Sequence, residues 1–146
     1  MRDKLLASAA GARTFALVFE SGDEVMPLML EWATGRGLTG ASFAGIGAFR
    51  EVVLGYFDLE VRDYLRVTIA EQVEVLSLAG NVALADGRPK LHAHIVVGKR
   101  DGTAHGGHLI GGVVRPTLEL VVTETNAALR RRIDAATGLP LLDLDA

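Results

Sequence analysis

The 146-residue chain contains no cysteine. Disulfides, thiolate metal sites and cysteine nucleophiles are thereby excluded, and any metal must be held by histidine, aspartate or glutamate. Aromatic residues make up only 5% of the sequence against 49% hydrophobic residues in total, so the core has to be built from Val, Leu, Ile and Ala. No run approaches the ~18 unbroken apolar residues of a membrane span. The opening segment, MRDKLLASAAGARTF, is too short and too interrupted for a secretory signal, and a cytoplasmic location is the expectation. Basic charge is not in excess either: the net charge is −3, whereas proteins that live on nucleic acid usually carry a basic total or a basic stripe. The one dense basic cluster, Arg130-Arg131-Arg132, runs into Asp134 and reads as a solvated face or a subunit contact. There is no Ser/His/Asp set, no phosphate-binding glycine loop and no dinucleotide fingerprint.

What is present suits a single α+β domain over residues 1–146, with a core at about 13–124 and a tail at 125–146. The expected architecture is a mainly antiparallel sheet of about seven strands with one main helix packed on it. Strands are expected over 13–20 (RTFALVFE), 41–48 (ASFAGIGA), 50–58, 65–70, 74–85, 91–98, 105–109 and 117–124. Gly45 and Gly47 allow a bulge or a close backbone approach, and Gly80-Asn81 interrupts the run at 74–85. The helix follows Ser21-Gly22-Asp23-Glu24, with Val25, Leu28, Met29, Trp32 and Ala33 on one face and Asp23 favoured as its cap. Asp86-Gly87 is a turn signal. The segment 126–133 is expected to be a short helix or turn. An aliphatic chain with mean hydropathy +0.29 often covers part of its surface with another copy of itself.

All four histidines fall within the hairpin at 91–112: His92, His94, His105 and His108. The i, i+2 spacing of His92 and His94 puts both side chains on one face of a strand, about 7 Å apart. Whether His108 joins them depends on the turn. A two-residue Asp101-Gly102 turn makes paired residues sum to 203 and sets His108 opposite Ile95, on the wrong side. A three-residue loop, Arg100-Asp101-Gly102 with Gly102 left-handed, makes pairs sum to 202 and sets His108 opposite His94. Glycine in the third loop position favours the second register, and His105 then lies on the other face. Three imidazoles with an open position suit a zinc ion or another divalent metal. Arg115, as a holder of an anionic ligand, and Glu119, as an acid orienting an imidazole N–H, are the candidates to support the site from beyond the metal's own ligands.

The segments VEVLSLAGNVAL (73–84), LHAHIVVGKRDG (91–102) and GGHLIGG (106–112) resemble the plants and prokaryotes conserved (PPC) domain, and agreement extends to SGDEV, GIGAF, LGYFD, TLELVV and RRIDAATGLPLLDL. The resemblance covers nearly the whole chain. It implies an α+β domain with about seven mainly antiparallel strands, assembled as a homotrimer, with a metal, zinc first, on His92, His94 and His108. Plant relatives attach AT-hook segments that bind DNA, and prokaryotic members are called DNA-binding by analogy; this chain has no Arg-Gly-Arg core and an acidic balance. Two functions compete: a non-enzymatic trimeric module that binds a metal and a regulatory partner or DNA, and a zinc-dependent enzyme of acetolactate-decarboxylase-like fold acting on a small carbonyl or carboxylate compound. The first ranks higher because no general base stands at a fixed offset from the histidines.

Overall fold

The computed structural model describes residues 1–9 and 11–145. Its elements, in chain order, are β1 (Arg2–Ala9), β2 (Ala12–Glu20), α1 (Val25–Gly35), β3 (Gly40–Asp58), β4 (Asp63–Ile69), β5 (Val73–Ala85), β6 (Arg88–Gly98), β7 (Ala104–Glu124), β8 (Arg130–Ile133) and β9 (Pro140–Asp143). The nine strands belong to one sheet ordered β1-β2-β7-β3-β5-β8-β9, with β4 on β3 and β6 bridging β5 and β7. Because β3, β5, β6 and β7 pair in a ring, the middle of the sheet closes on itself. Strand alternation sends Phe43, Val75, Leu78, Val82, Ala93, Ile95, Val97 and Leu109 to the buried side. Among the described residues, one helix and one continuous buried cluster complete the fold.

The strands and the tail depart from expectation. The sheet has nine strands rather than about seven, and it is mixed: β8 joins β5 in parallel at Leu84↔Arg130. The extra strands are β1, whose residues are all exposed, and the four-residue β8 and β9. Such strands bury too little apolar surface to print a period-2 pattern. Segments 41–48 and 50–58 are a single strand, as are 105–109 and 117–124, because glycines and bulges bend these strands without ending them. The segment 126–133 is not helical; its end is β8.

The helix buries Val25, Met29, Trp32 and Ala33, on the face its spacing marks out, with each large side chain contributing about 1.5–3 kcal/mol on burial. Its cap differs from expectation. Glu24 holds the N-cap position with no side-chain hydrogen bond. Asp23 instead accepts from the Glu20 N–H at 2.9 Å and pairs with the N-terminal ammonium of Met1 at 2.8 Å, so the carboxylate ties the strand end to the chain start.

Gly45 and Gly80 are packing requirements rather than breaks. A Cβ on Gly45 would strike the Glu119 carbonyl, and the β3–β5 register shifts between Gly45 and Gly47. A Cβ on Gly80 would strike the His92 carbonyl and the Phe43 ring. β5 therefore runs unbroken through Gly80-Asn81.

Candidate metal centre

The hairpin β6–β7 is set by its loop. The Lys99 N–H donates to the Thr103 carbonyl at 2.8 Å and the Gly102 N–H to the Lys99 carbonyl at 3.0 Å. Gly102 sits at φ +82°, the left-handed conformation that glycine adopts without a Cβ penalty. The connection is thus the three-residue loop Arg100-Asp101-Gly102, and Asp101 stiffens it by accepting from the Thr103 N–H at 2.9 Å and the Thr103 hydroxyl at 2.6 Å. In this register His94 faces His108. His105 faces Val97 on the opposite side and stays outside the cluster.

His92 and His94 lie on the outer side of β6, between the buried Ala93, Ile95 and Val97. Ring centroids are 5.1 Å apart for His92 and His94, 5.3 Å for His92 and His108, and 5.6 Å for His94 and His108. One nitrogen from each ring can be chosen so that all three fall within 4.8 Å of one another. The Nε2 atoms of His92 and His94 stand 3.2 Å apart. A tetrahedral ion with nitrogens at about 2.0–2.1 Å spaces its ligands by roughly 3.3 Å.

The surroundings of His92 and His108 favour the neutral ring, the form a ligand must take. Burial, followed by repulsion from His92, His94 and Lys90, pushes His108 down to about 4. Burial, followed by Arg131 and His94, lowers His92. The Nδ1 atom of His108 is buried without a hydrogen-bond partner among the described residues. Tyr64, on β4, stacks its ring on His108 at 4.8 Å and 29°. Three imidazoles without a carboxylate suit zinc, copper, iron or nickel rather than the oxygen-seeking calcium or magnesium. The three-histidine group could hold a metal ion.

Arg115 and Glu119 are elsewhere. Both are exposed on the far half of β7, with Glu119 paired to Ile46 and Val18. At ~3.3 Å per residue they lie roughly 20 and 35 Å along the strand from His108, so neither orients an imidazole within the chain. The groups that do approach the histidines are Tyr64, Asn81, Lys90 and Arg131, which line with His92 and His108 a cavity of about 460 Å³. Arg131 donates to the Asn81 side-chain oxygen and, at 3.0 Å, to the Pro140 carbonyl. Asn81 itself pairs with His92 across β5 and β6. The arginine triplet carries a signal for this placement: in a strand the middle of three residues points opposite to its neighbours, and Arg131 is half-buried while Arg130 and Arg132 are exposed.

The sequence matches the model of the Plants and Prokaryotes Conserved (PCC) domain over residues 6–126. The chain belongs to this family, the PPC domain of the sequence comparison. No curated protein sequence shows significant similarity. Among solved structures, a metal-containing protein from Archaeoglobus fulgidus is 35% identical with TM-score 0.81, the match covering 88% of this chain and 91% of that one. A PPC protein from Pyrococcus horikoshii is 29% identical with TM-score 0.84, covering 97% and 94%. An acetolactate decarboxylase from Bacillus subtilis is 14% identical with TM-score 0.55; the match covers 83% of this chain but 57% of the enzyme and shows the fold alone. No helix of the PCC chain is long and apolar enough to cross a membrane among the described residues.

Proposed function

We propose that this PCC protein is a metal-binding module in which His92, His94 and His108 hold one divalent ion, zinc first, within a homotrimer. The observation that carries the reading is the convergence of three imidazoles across a hairpin whose register a left-handed Gly102 sets. The metal in the Archaeoglobus relative supports it. A bound zinc would supply a Lewis acid with an open coordination position. Support for self-assembly comes from the outer face of β2, β7 and β3, where Ile46 is 61% and Val121 49% exposed beside Ala16, Val18 and Ala44. A charge of −3 gives no support to DNA contact.

Elemental analysis of the purified protein tests the proposal, together with His92→Ala, His94→Ala and His108→Ala. Bound zinc or a related ion in the parent, depleted in each variant, is the expected result. Equal metal content in the parent and all three variants would remove the site assignment.

A zinc-dependent enzyme acting on a small carbonyl or carboxylate compound is the second reading, favoured by the cavity that opens beside His92 and His108. Turnover of small oxo acids by the zinc-loaded protein, lost in His92→Ala, would establish it; an inactive loaded protein would leave the binding module standing.

A further inference from the structure

The cavity beside the histidines has a charge pattern of its own. The chain as a whole is acidic, yet the cavity is lined by two cations, Lys90 and Arg131, and by no aspartate or glutamate. Among the described residues neither cation takes part in an ion pair: the adjacent Arg132 pairs with Asp143, while Arg131 binds only the neutral oxygens of Asn81 and Pro140. Those two bonds hold the guanidinium in place, and its Nε is buried with no acceptor among the described residues. An unpaired N–H costs desolvation free energy that a matching acceptor would recover. Much of the remaining lining is aliphatic, formed by Leu91 and the Leu139–Leu142 stretch that runs into β9. A cavity of about 460 Å³ falls within the range of sites for small organic ligands.

We infer that this cavity binds a small organic carboxylate, its head group on Arg131 and its aliphatic part against Leu139–Leu142. Planar guanidinium and planar carboxylate match in geometry, and the charge-assisted bonds between them are the stronger kind. Asn81 fixes the guanidinium from the strand that also pairs with His92, so the head group is held on the metal side of the cavity. Phosphate fits less well, because about half of the lining is apolar and offers a dianion no hydrogen bond. The inference rests on the metal-binding reading, since the carboxylate would sit beside the open position of that site.

The test uses zinc-loaded protein, titrated by calorimetry with 4-methylpentanoate and with its neutral analogue 4-methylpentanamide, with zinc measured in every sample. The carboxylate is expected to bind and the amide to bind about tenfold or more weakly. Arg131→Met is expected to weaken the carboxylate by about tenfold and Lys90→Met, at an exposed position, by about threefold, both with unchanged zinc content. Arg131 also braces β8 and β9, so a melting curve accompanies its variant; if that variant does not fold, Lys90→Met and the amide comparison decide. Equal binding of acid and amide, wild-type affinity in both variants, or no binding to a zinc-loaded protein overturns this inference and leaves the metal site intact. A protein that takes up no zinc overturns both.

Discussion

His108 is the residue on which three influences meet: it faces His94, stacks under Tyr64 and stands at about 4 instead of 6.5. A base whose folded value lies below its unfolded value takes up its proton in the unfolded state first. In metal-free protein the melting temperature is therefore expected to fall as pH drops from 6.5 towards 4, with no further contribution from this group below that range. His108→Asn should flatten part of the fall in thermal melts at pH 7, 6 and 5; a slope identical to the parent would contradict the assignment. Gly80 is a second single-residue test. Gly80→Ala forces a methyl against the His92 carbonyl and Phe43 and is expected to cost about 1–3 kcal/mol in urea unfolding, whereas an unchanged midpoint would mean that β6 can retreat. At this scale the histidines were legible because period 2 and turn chemistry act locally. Tyr64 and Arg131 were not, since they reach the site from strands with no alternating apolar pattern of their own.

The β6–β7 hairpin is the element that gathers three of the four histidines into a cluster. Its register was legible because a glycine in the third loop position suits the left-handed residue of a three-residue loop. Gly102→Ala finds open space around the new methyl but a φ of +82°, so the cost is conformational, about 1 kcal/mol. Because β3 also grips β7 at Gly55↔His108, the hairpin should strain rather than slip: urea unfolding is expected to show the loss, and zinc stoichiometry to stay at the parent value. Loss of zinc with no loss of stability would contradict this division. The helix was legible from its buried face but not at its cap, where the Met1 ammonium competes for Asp23. No local pattern announces such a long-range ion pair. The same reason hides β8 and β9, which exist through their pairing with β5 and with each other.

For the whole molecule, α+β class and family were legible because the motifs span the chain, while strand number was set by edges that carry little hydrophobic signal. The outer face of β2, β7 and β3 exposes Ile46 and Val121 beside Ala16, Val18 and Ala44, with Glu119 among them, an arrangement that invites another copy. Analytical ultracentrifugation is expected to find a three-chain species, and Val121→Glu, which leaves the buried side of β7 untouched, to yield monomer with an intact far-UV spectrum. A monomeric parent would rule out the trimer. The central claim is that three imidazoles of this chain share one metal ion. Zinc-edge X-ray absorption of the zinc-loaded protein tests it most directly. The account predicts three imidazole nitrogens at about 2.0–2.1 Å, with one lost in His108→Ala; an oxygen-only shell, or a spectrum that His108→Ala leaves unchanged, would contradict it.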